Sequence, residues 1–188
     1  MTVIGVLSAI SIMMSMLPFI GYIPLGPIKA TIMHIPVIIG AIIEGPVVGA
    51  TIGLIFGLTS LWNAITQPVT LSPLFMNPLV SVLPRILIGI VAYYVYQGVY
   101  KLSKKVYASG FIAGIVGSLV NTAGVLGMIY VLYADKYLVL MEQNGSNISA
   151  GAGKLLFGVV LTSGVPEALV AGFIVSAVSV ALIRKGKK

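Results

Sequence analysis

The chain has 188 residues, 59% of them apolar and only 8% charged, with eleven Lys and Arg against four Asp and Glu for a formal charge of +7. Soluble domains run nearer roughly 45–50% apolar and about 25% charged, so a mean hydropathy of +1.12 excludes an ordinary water-soluble enzyme. Disorder is excluded as well, because it needs low hydrophobicity and high charge.

At roughly 20 residues per spanning helix, six spans take about 120 residues and leave about 70 for loops and ends. The composition predicts an all-α integral membrane protein, one transmembrane domain over 1–188 with room for one central site. The first span is predicted from Val3 to Phe19, closing at Pro18. No basic region precedes it and no small-residue cleavage site follows, so it reads as a retained span rather than a signal peptide. Residues 21–29 carry two prolines and two glycines and cannot form regular helix. The second apolar run, Ile32 to Ile43, has only twelve residues, with Pro36 and Gly40 inside. It must be kinked, tilted or extended by its neighbours to span.

Glu44-Gly45-Pro46 predicts a tight reversal, with proline placed to open a third helix from Val47 to Trp62. Residues 63–80 hold Pro68, Pro73 and Pro78 and read as a long external loop with interfacial pieces. The fourth span runs from Val80 to Tyr100 and ends in an aromatic belt of Tyr93, Tyr94, Tyr96 and Tyr100. A fifth span covers Ala108 to Tyr133. A polar loop from Asp135 to Gly153, with Glu142, Asn144 and Asn147, leads to the sixth span, Lys154 to Ile183, which contains Pro166. Nine of the ten prolines lie at or before Pro84. Broken elements in front and long helices behind argue against a simple inverted repeat.

Seven of the eleven cations form two clusters, Lys101/Lys104/Lys105 and Arg184/Lys185/Lys187/Lys188. Both flank apolar spans, as the positive-inside rule predicts for cytoplasmic ends. The net charge therefore needs no nucleic-acid partner. Six spans with both clusters inside place both termini in the cytoplasm, and loops 21–31, 63–79 and 135–153 outside with only Lys29 and Lys136 as cations.

Few residues are equipped for chemistry. The chain lacks cysteine and has one histidine, so thiolate sites and disulfides are unavailable, and no metal site or catalytic set is expected. No phosphate loop or metal-binding histidine motif occurs, and no cofactor is expected. Arg85 follows Pro84, and Glu167 follows Pro166 within the sixth span. A charge at membrane depth costs ~2.5–3.5 kcal/mol on insertion scales. Arg85 therefore either snorkels to the outer surface, pairs with Glu167, or anchors an anionic substrate group through its planar fork. Asn121 and Thr122 sit mid-span in the fifth helix, where an amide needs partners; they either glue helices or bind ligand. Asn63 and Asn77 bracket the outer loop beside Trp62, as lining of a pocket mouth or as helix caps. His34 opens the second apolar run, where an interfacial hydrogen bond is favoured over a proton relay. Gly45, Gly49, Gly53 and Gly57 recur every four residues on one face of the third helix, and Gly5 and Ala9 repeat the spacing on the first. Small-residue stripes let helices approach closely, either internally or against a partner.

These residues carry a resemblance. The stretch 22–60, from Tyr22-Ile23-Pro24-Leu25-Gly26-Pro27-Ile28-Lys29 through Glu44-Gly45-Pro46 to Ser60, resembles the S components of energy-coupling factor (ECF) vitamin transporters. Pro84-Arg85-Ile86-Leu87-Ile88-Gly89, Asn121-Thr122 and Pro166-Glu167 resemble the same family, and the likeness is greatest to the pantothenate-type S components. It covers nearly the whole chain.

The resemblance implies a non-enzymatic six-helix subunit of the bacterial plasma membrane that binds one vitamin from outside. Such subunits dock on a transmembrane T protein and two cytoplasmic ATPases, and topple in the bilayer to deliver the occluded substrate. It implies a lid from the first external loop, with Tyr22, Pro24, Leu25 and Gly26. Docking in the family uses small residues on the first helices, often as Ala-xxx-Ala, of which Gly5-xxx-Ala9 is the nearest match here and a departure; by analogy Gly49, Gly53 and Gly57 would assist. For pantothenate, Arg85 would take the carboxylate, Asn77 and Asn121 the amide and hydroxyls, and Glu167 would orient Arg85. Riboflavin, folate and thiamine are alternatives on the same scaffold, and Trp62 and Phe75 keep a flat ligand open. An ion-coupled carrier, with Glu167 and His34 as its thin coupling site, and a ligand-free scaffold are the readings from other classes.

Overall fold

A computed structural model describes residues 2–16, 22–25, 28–67, 70–145, 148–149 and 151–185, with backbone alone over 22–25, 28–31 and 183–185. Helices dominate: α1 (Thr2–Met16), α2 (Ile35–Glu44), α3 (Pro46–Thr66), the short α4 (Ser72–Phe75) and α5 (Pro78–Ser81), α6 (Leu83–Ser103), α7 (Val106–Gln143), α8 (Gly151–Val159) and α9 (Val165–Lys185). A π-helical turn, Val160–Gly164, joins α8 to α9. The expected all-α class holds, with one local addition. The proline-rich segment that cannot be helix forms two antiparallel strands, β1 (Tyr22–Leu25) and β2 (Ile28–Thr31), with Tyr22 opposite Thr31 and Leu25 opposite Ile28. Pro24 is tolerated because a two-stranded ribbon consists of edges.

Among the described residues, four helical stretches are long and apolar enough to cross a membrane: Pro46–Thr66, Pro78–Ser103, Val106–Gln143 and Gly151–Leu182. Exposed Leu54, Leu58, Tyr94, Val131 and Phe173 clothe their outer faces, which suits lipid rather than water. The chain is accordingly a multi-pass membrane protein. The second apolar run is shorter as a helix than its twelve residues. It forms the ten-residue α2, about 15 Å long at the helical rise, and Ile35 to Ile42 are all buried. A helix apolar on every side belongs inside a bundle, and α2 packs against α1, α3, α6, α7 and α9.

Gly45 adopts φ +101° between α2 and α3, a conformation open to glycine, and Pro46 opens α3 as expected. The helix outruns its predicted end at Trp62 by one turn, to Thr66. Beyond it, the expected outer loop contains α4 and α5, each with proline in its first turn. Tyr133 marks the expected end of the fifth span, and there α7 leaves helical geometry (φ −142°, ψ 26°) before resuming to Gln143. The expected loop from Asp135 is thus helical for one further segment, because Tyr133, Ala134, Tyr137, Leu138, Leu140 and Met141 pack on an apolar cluster with Leu74, Val80, Val125, Ile129 and Leu156. A second cluster surrounds α2, with Ile38, Ile52, Phe56, Ile88 and Val175. The predicted ends at Pro18 and Phe19, together with Asn147, Lys187 and Lys188, lie outside the described residues.

The expected glycine seam on α3 is filled internally. Gly49 faces Ala41 and Gly89, Gly53 faces the Arg85 carbonyl and Ile86, and Gly57 faces Val82 and Ser81. Close backbone approach of α3 to α6 consumes this surface, so these three glycines present no face to a partner in this structure. Gly5 and Ala9 differ: both are exposed on α1, and nothing lies near Gly5.

Candidate functional site

A cavity of about 520 Å³ lies where the two apolar clusters meet. Its walls come from Phe56, Ser60, Asn63 and Ala64 on α3 with Gln67 just past its end, Asn121, Thr122, Val125 and Leu126 on α7, and Ser72 and Phe75 on α4. Arg85 of α6, Ser15 of α1, Met33, and Val159, Ser163, Gly164 and Glu167 around the π turn complete it.

Arg85 is the buried cation of this site, 6% exposed. One terminal nitrogen, Nη1, donates to the Val80 carbonyl at 2.6 Å. Its Cζ lies 5.8 Å from the ring centroids of both Phe56 and Phe75, within cation–π range. Among the described residues, Nε is buried without a partner and Arg85 makes no ion pair. The contacts position the guanidinium while leaving several of its N–H donors uncommitted. The glycine seam sets its depth, since Gly53 rests on the Arg85 carbonyl and Phe56 stands one turn along from Gly53.

Asn121 carries a buried Oδ1 with no partner among the described residues, at the cavity wall. Thr122 packs its methyl group so near Gly164 that a Cβ there would lie 2.9 Å from Cγ2. The π turn owes its place to Pro166. That residue lacks an N–H, and its ring displaces the carbonyl four residues back, on Thr162 inside the turn. The widened turn brings Ser163 and Gly164 to the cavity, with Glu167 one turn beyond. Such turns recur at functional sites.

The structure brings together Arg85, Asn121, Thr122, Glu167 and Asn63, and leaves three expected site residues elsewhere. Asn77 caps α5, accepting from the Leu79 N–H at 2.9 Å, and donates to the Tyr133 hydroxyl at 2.9 Å. Trp62 is 60% exposed on the outer face of α3, because Asn63 and Ala64 take the inward positions. His34 is fully buried just before α2, outside the cavity lining, and neither ring nitrogen has a partner among the described residues. Ser60, Gln67, Ser72, Ser163 and the two phenylalanines join the site in their place. Phe56, Ser60 and Asn63 of α3, with Gln67 just past its end, follow helical spacing, a signal present in the sequence. Of the lid residues, Tyr22, Pro24 and Leu25 form β1 and Gly26 lies outside the described residues. The β2 backbone runs beside the π turn and α9, bordering the cavity wall. Among the described residues no three His, Asp or Glu side chains converge.

A buried, partly committed guanidinium amid hydroxyls and amides can seat a small anion carrying hydroxyl or amide groups. A profile of the family described as ECF transporter, substrate-specific component, matches residues 1–183, and the chain belongs to that family. It is 31% identical over 172 residues to the pantothenic acid transporter PanT of Lactococcus lactis subsp. cremoris, covering 84% of this chain and 80% of that protein. It is 35% identical over 126 residues to the pantothenate transporter PanT of Leuconostoc mesenteroides subsp. mesenteroides, covering 63% of this chain and 61% of the relative.

Proposed function

We propose that this chain is a pantothenate-binding S component, which captures the vitamin from outside the bacterial cell and delivers it with a T protein and two ATPases. Energy then comes from those partners, in keeping with a sequence that carries no phosphate-loop motif. The observation that carries the reading is Arg85: a buried guanidinium between two aromatic rings, with uncommitted donors at a cavity of the size small ligands use, ~300–1,000 Å³. Pantothenate has a carboxylate for Arg85 and amide and hydroxyl groups for Asn121, Thr122, Ser60 and Ser163. Similarity to two pantothenate transporters supports the choice of vitamin. Glu167 serves the far wall, where a carboxylate accepts hydroxyl donors. The hairpin Tyr22–Thr31 is the lid, and α1 and α2 complete a six-helix count with both termini in the cytoplasm. Exposed Gly5 and Ala9 on α1 form the face that meets the T protein.

Calorimetry of the purified chain with a panel of B vitamins tests this directly. Pantothenate is expected to bind one to one, and Arg85→Ala to weaken it by roughly 2–5 kcal/mol, the usual loss for a buried charge contact. Tight binding of riboflavin, folate or thiamine instead overturns the assignment of vitamin. A folded Arg85→Ala protein with unchanged affinity removes Arg85 from the site.

A further inference from the structure

The last turn of α1 is tied to α3 by one side chain. The Asn63 amide nitrogen donates to the Ser15 carbonyl at 3.0 Å and to the Ser15 hydroxyl at 2.8 Å, and both residues line the cavity. The carbonyl can only accept, which settles the orientation of the amide, nitrogen toward α1 and oxygen away. That oxygen, Oδ1, is buried with no partner among the described residues. Along the same side of α1, the Ser8 and Ser11 hydroxyls are also buried without partners there. Among the described residues, the side-chain hydrogen bonds that reach α1 from another element therefore both come from Asn63. The rest of its seating is apolar contact with α2 and α3.

We infer that Asn63 is a positioning residue that couples occupancy of the cavity to the seating of α1. A hydroxyl or amide N–H of the ligand donates to Oδ1, satisfying a buried acceptor that is costly to leave unmade. Oxygen and nitrogen share one conjugated plane, so fixing the oxygen fixes the nitrogen that holds Ser15, and chained hydrogen bonds polarise and strengthen one another. Empty, the cavity leaves the last turn of α1 loosely held; occupied, it locks that turn. The opposite side of α1 exposes Gly5, Ala9, Val6, Ile10 and Met13, so the coupling carries the state of the cavity to the outer face of the helix. The inference rests on the pantothenate reading, because that ligand supplies the donor.

Amide hydrogen exchange over Thr2–Met16 tests it, on the full chain in nanodiscs with and without saturating pantothenate. In the wild type, pantothenate is expected to slow exchange in the last two turns of α1 by roughly threefold to tenfold, the range one added neutral hydrogen bond confers. Asn63→Leu, nearly isosteric, should exchange equally fast with and without saturating ligand. Ser15→Ala, which spares the Asn63 oxygen, should show a reduced but measurable response. Retention of the full ligand response in Asn63→Leu overturns the inference, since a merely structural Asn63 would raise exchange equally in both states. Wild-type binding with no slowing in α1 overturns it as well and leaves the functional reading standing. Failure of the wild type to bind pantothenate removes that reading and this inference with it.

Discussion

Arg85 owes its character to the two rings that flank it. Cation–π contacts contribute up to ~2 kcal/mol when desolvated, and one charged hydrogen bond adds about 1.5–3 kcal/mol. Together these are enough to offset the ~2.5–3.5 kcal/mol insertion cost of the charge. The guanidinium can thus be held in place without an acid and still offer donors to a ligand. Arg85→Lys tests the geometry apart from the charge: an ammonium keeps the charge but loses the planar fork and the stacking surfaces. Pantothenate affinity in calorimetry should fall by about tenfold or more, yet stay above that of Arg85→Ala. Affinity equal to wild type would mean that charge alone suffices. Arg85, Glu167, Asn121 and Thr122 were legible in the sequence because a polar group inside an apolar run has to be accounted for. Ser60, Gln67 and Ser163 were not, since hydroxyls and amides near helix ends are usual and only their shared face marks them. Asn77 and Trp62 lie off the cavity lining for the complementary reason: residues adjacent in sequence to a cavity occupy other sides of a helix.

At the level of elements, the glycine seam between α3 and α6 does more than close a gap. A Cβ at Gly53 would collide with the Arg85 carbonyl and lie 3.2 Å from the Ile86 Cα, and overpacking of this kind costs ~1–3 kcal/mol. Gly53→Leu is expected to lower both the thermal stability in detergent and pantothenate binding, because it displaces the backbone that carries the guanidinium. Ala9→Leu, on the exposed side of α1, should leave binding by the isolated chain within about twofold, a shift under ~0.5 kcal/mol, while depressing uptake in cells that express the T protein and ATPases. Undisturbed uptake would take Ala9 out of the docking face. The four-residue glycine spacing showed that a close approach exists; it held no information about which helix approaches. Similarly, the length of α2 showed that it is short, whereas its burial on every side depends on five neighbours that no local pattern names.

For the whole molecule, the central question is which way the bundle stands in the membrane. The lysines at the α6–α7 corner, around an 89% exposed Leu102, and the exposed residues Glu142 to Asn144 after α7 sit at opposite ends of the long helices. A chain free of cysteine permits single-cysteine labelling without background. Asn144→Cys is expected to react with an impermeant maleimide on intact cells, and Leu102→Cys only after permeabilisation. Labelling of both from one side would refute the predicted orientation.

The π turn has a geometric consequence of its own. On an unbroken α-helix, the buried positions Ala152 and Leu156 of α8 would point about 100° away, one residue's rotation, from the line through the buried Glu167, Ala168, Ala171, Val175 and Ser179. One additional residue in the turn cancels that offset. The turn works as a phase corrector, letting a single rod keep one continuous inner side across two separate cores. Straightening it would swing Ala152 and Leu156 toward lipid, out of the cluster they share with Val125 and Ile129.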